Sequence, residues 1–305
     1  MKSNEISMRV KYTFHKIKYF VKCIAVNLSS DEELMKRQFK NYQDYSLDLE
    51  SPKTLNQKLQ WLKLNDRTPL HTICADKINV RSYIEKKLGS KENLIDLLKV
   101  YNSPFEITKE SLPNSKFVIK SSHYCGDYFI VRDKNNLDLD EVKNKFIKTL
   151  NCNIYHHGRE WQYKHVPRKI IVERLLEDER GRIPNDIKIH CFNGEPKFIY
   201  LSVDREGGNY RNIYDVNWNV LDFSWTRKGK DITKFNIKPM SKPELLDEAL
   251  SIARKLSSEF KYLRVDLYFV NGKIYIGELT FHQGSGYDRI LPYEWDEKLG
   301  ELLDL

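Results

Sequence analysis

The 305-residue sequence lacks long apolar runs, paired cysteine motifs and nucleic-acid-binding signatures. No stretch approaches the roughly 18 apolar residues that a membrane-spanning helix needs. The five cysteines are scattered, odd in number and never spaced as C-x-x-C, which favours a reducing compartment. RNP, zinc-finger and helix-turn-helix patterns are also missing, so nucleic acid is not an expected partner. These absences predict a cytoplasmic protein.

The sequence does contain an excess of positive charge. It has 51 Lys or Arg residues against 43 Asp or Glu residues, which gives a formal net charge of +8. Hydrophobic residues make up 40% and charged residues 31% of the chain, values that are typical of a soluble globular protein. The excess charge indicates an anionic partner, such as acidic lipid or a phosphorylated or uronic substrate.

Residues 1–30 have the pattern of a basic amphipathic helix, in which lysines accompany a regular apolar stripe. The stripe consists of Val10, Phe14, Ile17, Val21, Ile24 and Leu28. One interpretation is an anchor at the inner face of a membrane, attracted to anionic lipid. The other is a helix that packs on its own domain or on a partner, because an apolar stripe usually faces a core.

Residues 264–286 have the pattern of a β-hairpin that carries two carboxylates. Apolar residues alternate with Arg264 and Asp266 on the first strand, and Asn271-Gly272 is a strong turn signal. On the returning strand we expect Tyr275, Gly277, Leu279 and Phe281 to form the apolar face. That assignment leaves Ile276, Glu278 and Thr280 on the polar face.

The register of this hairpin decides where its acids lie. A simple two-residue turn would place Asp266 and Glu278 on opposite faces of the sheet. A three-residue loop at residues 271–273, or an equivalent bulge, pairs Asp266 with Glu278, and we predict this second register. Two carboxylates about 5 Å apart repel each other by about 3 kcal/mol at an effective dielectric of about 20.

A cation is therefore expected beside Asp266 and Glu278. Oxygen ligands with room for water and phosphate favour Mg²⁺. The alternative is a solvated hairpin in which Arg264 neutralises both acids, since surface ion pairs are common and weak.

The hairpin also resembles a known family. Arg-x-Asp at residues 264–266, an acid twelve positions after Asp266 and the phrase GELTF…GSG resemble the TupA-like branch of the ATP-grasp superfamily, over residues 51–305. The resemblance implies an α+β ATP-grasp fold, with two α+β lobes gripping ATP after a helical N-terminal segment. The expected parts are a helical segment at 1–75, a smaller lobe at 76–172 and a larger lobe with the metal and phosphate site at 173–305.

The resemblance also implies roles for individual residues. The nucleotide-binding candidates are Lys77, Lys120, Gly126, Glu173, Arg174, Leu176 and Glu177. The catalytic candidates are Arg264 and Lys188, and the Mg²⁺ ligands are Asp266, Glu278 and, more weakly, Thr280. The substrate-binding candidates are Arg205, Arg211, His282, Gly284 and Ser285. His123, in the loop at residues 121–127, is either a catalytic base or an exposed loop histidine, and we expect the exposed histidine.

The implied activity is that of an ATP-dependent carboxylate–amine ligase with Mg²⁺ as cofactor. Such an enzyme would join an amino acid or amine to a uronic acid or similar carboxylate of a surface polysaccharide or its precursor, through an acyl phosphate. Two alternatives stay open at this point. One is a kinase on the same fold, and the other is a non-catalytic nucleotide-binding partner of a glycan assembly complex.

Overall fold

The computed structural model describes residues 2–230 and 232–305. The α-helices in these ranges are α1 (Lys2–Asn27), α2 (Asp31–Tyr42), α3 (Leu55–Asn65), α4 (Pro69–Ala75), α5 (Val80–Leu88), α6 (Leu139–Thr149), α7 (Tyr155–Gly158), α8 (Leu246–Ser257) and α9 (Tyr293–Glu301). The strands are β1 (Leu97–Tyr101), β2 (Phe117–Ser121), β3 (Tyr128–Val131), β4 (Ile170–Arg174), β5 (Asp186–Phe192), β6 (Glu195–Val203), β7 (Tyr210–Asp215), β8 (Ser224–Thr226), β9 (Tyr262–Val270), β10 (Lys273–Thr280) and β11 (Arg289–Leu291).

The chain forms two compact units, each built from more than one segment. Unit 1 comprises the N-terminal residues through Asp31, together with Asp76–Ile78 and Ile95–Leu175. Unit 2 comprises Glu32–Ala75, Asn79–Leu94 and Leu176–Leu305. Residues 32–75 therefore pack with the C-terminal part of the chain. The domain boundaries expected from the sequence stay predictions, and residue 1 of the first expected domain lies outside the described residues.

Unit 1 is organised around an antiparallel sheet with the strand order β1-β4-β2-β3. Its core combines Phe117 and Ile119 of β2 with Ile170 and Val172 of β4 and with Phe146 of α6. Asp138 caps the N-terminus of α6 by accepting from the Asp140 and Glu141 N–H groups. Strands β2 and β3 are joined by the loop that contains His123.

Unit 2 contains a five-stranded antiparallel sheet with the order β10-β9-β5-β6-β7. Alternation along β5 places Ile187 and Ile189 on one face and Lys188 and His190 on the other. Helix α8 covers the apolar face, where its Leu246, Ala249, Ala253 and Leu256 side chains are fully buried. Part of the opposite face is covered by α3 and α9, which pack on the aromatic residues of β6. The rest of that face carries the polar side chains described below.

The β9–β10 hairpin has the predicted pairing of its acids, because Asp266 lies opposite Glu278. The connection is a two-residue turn at Asn271-Gly272, both with positive φ, and the extra residue is a bulge at Gly277. The bulge also shows that one expectation was wrong. Before the bulge the strand has the opposite phase, so Ile276 is buried opposite Leu267.

Tyr275, on the same segment, consequently lies opposite Tyr268 and not on the apolar face. A bulge moves every side chain on one side of it to the other face of the sheet. Glycine suits this position, since a Cβ at Gly277 would lie 2.8 Å from Cε2 of Tyr268.

Candidate active site

A charged cluster lies on the face of the unit 2 sheet opposite α8, where three neighbouring strands place polar side chains at matching positions. Lys188 of β5 lies opposite Asp266 of β9, which in turn lies opposite Glu278 of β10. The next pair on this face joins Thr280 to Arg264. Because antiparallel pairing aligns residues that share a face, period-two alternation brings these side chains together.

Arg264 links the two acids of the hairpin. Its Nε donates to Asp266 Oδ1 at 2.5 Å, and its Nη2 donates to Asp266 Oδ2 at 2.6 Å and to Glu278 Oε1 at 3.0 Å. Its Nη1 donates to Oε1 of Gln283. Burial lowers the pKa of this guanidinium, but the charge and hydrogen bonds of Asp266 outweigh burial, so the pKa is raised. Arg264 is therefore a fully ionised cation held between two carboxylates.

Lys188 forms a second cationic link in the cluster. Its Nζ donates to Asp266 Oδ2 at 2.9 Å and to Oδ2 of Asp186. Three carboxylates, those of Asp186, Asp266 and Glu278, thus face two cations, and the cluster has a formal charge of −1. Asp186 was not among the site residues predicted from the sequence. Its position two residues before Lys188 was the available signal, because residues i and i+2 of a strand share a face.

The oxygen atoms of this cluster suit a hard divalent cation. Oδ1 of Asp186 is buried without a hydrogen-bond partner, and the Thr280 hydroxyl lies 3.3 Å from Glu278 Oε1. Carboxylate and hydroxyl oxygens are ligands that Mg²⁺ accepts, together with water and phosphate. Within residues 2–230 and 232–305, no group of three or more His, Cys, Asp or Glu side chains is arranged to hold a metal ion. The donor set fits Mg²⁺ that is bound jointly with phosphate.

Side chains of α3 donate hydrogen bonds to the turn that follows β10. Gly284, Ser285 and Gly286 all have left-handed backbones, with φ of 52°, 57° and 65°. Lys63 is fully buried and donates to the carbonyl and hydroxyl oxygens of Ser285 at 2.5 and 3.0 Å. Gln60 donates to the carbonyls of Ser285 and Gly286 at 3.0 and 2.8 Å. These contacts fix the segment that begins with Gln283, the partner of Arg264.

Lys63 and Gln60 were not among the site residues predicted from the sequence. A lysine four residues after buried Leu59 on one helix face was the available signal, since residues at i and i+4 share a face. Of the substrate-binding candidates, Ser285 already bonds to Lys63, and His282 is buried just before the turn. Their roles and that of Gly284 stay predictions.

The two arginine candidates lie toward the Asp186 end of the sheet. Arg211 of β7 lies opposite Ser202 of β6, which lies opposite Asp186. Its Nη1 donates to the carbonyls of Asn209 and Tyr210 at 2.8 and 3.0 Å. The Arg205 guanidinium lies 6.0 Å from the ring centre of Tyr268, which is opposite Asp186 on β9.

In unit 1, the structure brings two nucleotide-binding candidates together. Nζ of Lys120 lies 2.6 Å from Oε2 of Glu173, and both side chains are mostly buried. Arg174, the next residue, pairs with Asp96 through its Nε at 3.0 Å. The N–H groups of Arg174 and Leu175 donate to the carbonyls of Asp96 and Lys116. Leu176 is the first residue of the C-terminal segment of unit 2, where it is buried, and half-buried Glu177 follows it.

Lys77 contacts the loop of unit 1 that contains Gly126. Its Nζ donates to the Tyr124 carbonyl at 2.8 Å, and its N–H donates to the Ser122 carbonyl at 3.3 Å. Lys77 lies in a turn before α5. Gly126 has a φ of 74°, and no atom lies within 4 Å of the position of a Cβ there.

The prediction that His123 is an exposed histidine was wrong. Its side chain is 1% exposed, and Nε2 donates to the carbonyls of Thr149 and Cys152 at 3.1 and 3.2 Å. Burial lowers the pKa of His123 to about 4, and the charges of Arg168 and Lys77 contribute in the same direction. His123 is thus a neutral structural residue that ties the loop to the end of α6.

Comparison with known proteins gives one family match and several similar solved structures. Residues 57–304 match the family model described as TupA-like ATPgrasp. D-alanine–D-alanine ligase from Bacillus anthracis, complexed with ATP, has 15% identity and a TM-score of 0.38, with 68% of this chain and 54% of that chain covered. The same enzyme from Helicobacter pylori has 16% identity and a TM-score of 0.44, with coverages of 82% and 69%.

A third similar structure is N5-carboxyaminoimidazole synthase from Aspergillus clavatus, in complex with ADP and 5-aminoimidazole ribonucleotide. It has 14% identity and a TM-score of 0.38, with 68% of this chain and 44% of that chain covered. The present chain thus spans about half the length of the Bacillus anthracis ligase and of the synthase. None of the curated proteins compared with the chain matches it.

Proposed function

Because the chain belongs to the TupA-like ATP-grasp family, we propose that it is an ATP-dependent carboxylate–amine ligase of surface-polysaccharide biosynthesis. The observation that carries this proposal is the cluster of Arg264, Asp266, Glu278 and Lys188 on one sheet face. Two cations beside three carboxylates provide both halves of a site for a magnesium–phosphate complex. The glycan context comes from the family resemblance.

The residues of the cluster have different roles in the proposed reaction. Asp266 and Glu278, with Thr280 as a weaker ligand, would hold Mg²⁺, which neutralises phosphate charge when bound. Arg264 and Lys188 both donate hydrogen bonds to Asp266 in this structure. In the reaction these N–H donors would turn from the carboxylate to the transferred phosphoryl group. Catalysis then depends on positioning and charge stabilisation, as is usual for phosphoryl transfer.

The reaction has two steps. An oxygen of the acceptor carboxylate attacks the γ-phosphorus of ATP, and the bond to the β,γ-bridging oxygen breaks to give ADP and an acyl phosphate. The amine then attacks the acyl carbon and loses a proton as phosphate leaves, which forms the amide. We propose that the acceptor is a uronic acid or similar carboxylate, bound by Arg211 and Arg205. The segment of His282, Gly284 and Ser285 would contribute to the same acceptor site.

The nucleotide is assigned to the remaining candidates. Lys120 would bind a phosphate, and Glu173 holds its ammonium at 2.6 Å. Lys77 and the Gly126 loop would contact the phosphates as well. The N–H groups of Arg174 and Leu175 already donate within unit 1, so the adenine-edge hydrogen bond is proposed for the Leu176 backbone. Glu177 would accept from the ribose hydroxyls.

The test is ADP release from Mg²⁺-ATP with a panel of uronic acids, UDP-linked uronic acids and amino acids. We expect turnover only when a carboxylate and an amine are both present. Glu278→Gln should abolish turnover, while Glu301→Gln, a matched change of an exposed acid on α9, should leave it unchanged.

Two other outcomes would replace the proposal. A stable phosphorylated acceptor formed without an amine would identify a kinase. ATP binding without turnover, together with a cellular role that survives Glu278→Gln, would identify a non-catalytic nucleotide-binding partner of a glycan assembly complex.

A further inference from the structure

Helix α1 presents an uncovered apolar stripe. Seven of its apolar side chains are between 52% and 65% exposed, and Leu28, directly after the helix, is 84% exposed. At about 100° per residue, the seven lie within an arc of about 120° around the helix axis. They are Ile6, Val10, Phe14, Ile17, Phe20, Val21 and Ile24.

The opposite face of α1 is docked on unit 1. Met8 is buried, and the Tyr12 ring packs edge-on against Phe105 with 6.0 Å between ring centres. The Tyr19 hydroxyl donates to the Asn153 carbonyl at 3.4 Å. Arg159, itself 1% exposed, donates to the Val26 carbonyl at 2.8 Å. The helix is therefore held with its stripe outward, and packing on unit 1 does not use the stripe.

Basic side chains border the stripe on both sides. Lys16 lies next to one edge, and Lys11 and Lys18 lie next to the other, each within about 60° of it at 100° per residue. All three lysines are exposed. Residues 6–28 contain five Lys or Arg residues and no Asp or Glu residue. The surface is thus apolar along its centre and uniformly positive at its margins.

We propose that this stripe binds the surface of an anionic lipid bilayer, with α1 lying in the plane of the interface. Exposed apolar side chains would enter the acyl boundary, and the flanking lysines would contact anionic headgroups. Positive charge on both margins without an intervening acid complements a uniformly negative surface. Within the part of the chain that the structure describes, no helix has the length and apolarity to cross a membrane, so contact would be peripheral. This proposal is independent of the ligase proposal.

The test is co-sedimentation of the full chain with phosphatidylcholine vesicles that contain either no anionic lipid or 30 mol% phosphatidylglycerol, roughly a typical anionic fraction. We expect binding to the anionic vesicles. Replacing Lys11, Lys16 and Lys18 together by Gln should weaken binding by about 100-fold. The matched control replaces three exposed lysines on other elements, namely Lys99 of β1, Lys197 of β6 and Lys255 of α8. It removes the same charge and should retain most of the binding.

A second pair of variants tests the apolar part. Phe14→Ser with Phe20→Ser should abolish binding to anionic vesicles, while Ile232→Ser with Ile237→Ser, at exposed sites in unit 2, should not. Circular dichroism checks that each variant is folded. The proposal is overturned if the wild-type chain fails to bind anionic vesicles. It is also overturned if light scattering shows a dimer that the Phe14 and Phe20 changes dissociate while vesicle binding persists, because a second copy would then cover the stripe.

Discussion

Removing Arg264 alone should destabilise unit 2 more than removing Arg264 together with Asp266. The guanidinium makes three hydrogen bonds to carboxylates at 2.5 to 3.0 Å, and Arg264 and Asp266 are 8% and 3% exposed. Arg264→Met leaves the Asp266 carboxylate buried with Lys188 as its remaining cation. Loss of one partner from a buried ion pair costs about 3–5 kcal/mol.

The double variant Arg264→Met with Asp266→Leu removes the stranded charge. A buried ion pair replaced by apolar side chains of similar volume is often close to neutral. The expected loss is therefore about 1–2 kcal/mol, the size of one unmatched packing change, even though two residues are changed. The double variant should therefore be more stable than Arg264→Met by about 2–3 kcal/mol.

Urea unfolding followed by tryptophan fluorescence measures both variants. Unit 2 contains Trp61, Trp218, Trp225 and Trp295, so most of the signal reports on the unit that carries the cluster. The reasoning is refuted if the double variant is less stable than Arg264→Met. Such a result would mean that Asp266 contributes favourable energy without Arg264, through Lys188 alone.

Three further predictions concern packing and pH. A Cβ at Gly300 would overlap the Lys53 carbonyl oxygen. We therefore expect Gly300→Ala to lower the free energy of unfolding by at least about 3 kcal/mol. An unchanged urea midpoint would contradict this packing. Gly277→Ala pushes the Tyr268 ring and should cost about 1–3 kcal/mol; NMR cross-strand contacts should also show whether the bulge survives. The pKa of His123 is about 4 in the folded chain and 6.5 in the unfolded chain. The unfolded chain therefore binds a proton that the folded chain excludes. The free energy of unfolding, which has its full value above pH 6.5, should fall by about 3 kcal/mol as the pH drops toward 4. His123→Gln should reduce this loss when unfolding is measured at pH 7 and pH 4.5, and an identical slope in the variant would contradict the assignment.

The sequence predicted the acid pair but not all of its surroundings. Alternating apolar and charged residues were enough to require that Asp266 and Glu278 share a face, and the structure confirms this pairing. The position of the extra residue was not encoded in that pattern. A bulge at Gly277 and a longer turn both place Glu278 on the same face as Asp266. They differ only in the faces on which they place Tyr275 and Ile276, which precede the bulge.

Residues that act through tertiary contacts were harder to predict. Lys63 and His123 are polar residue types whose burial depends on partners elsewhere in the chain. Lys63 donates to the Ser285 carbonyl, and His123 donates to the carbonyls of Thr149 and Cys152. Local periodicity cannot identify such partners. Asp186 was accessible from its spacing to Lys188, but a carboxylate at a strand start is more often solvated.

The bulge at Gly277 also affects how the protein behaves toward other copies of itself. Strand β10 is at the edge of its sheet. On its outer side Leu94 forms a short bridge to Ile276, the Ile276 N–H donates to the Asn93 carbonyl, and the Asn93 side chain donates to the Ile274 carbonyl. A straight edge strand offers its free backbone groups to any passing strand and can seed aggregation. The bulge interrupts that row of groups, and Glu278 adds a charge next to the interruption. The same irregularity that pairs the acids should therefore help to keep a concentrated solution of the protein from aggregating through this edge.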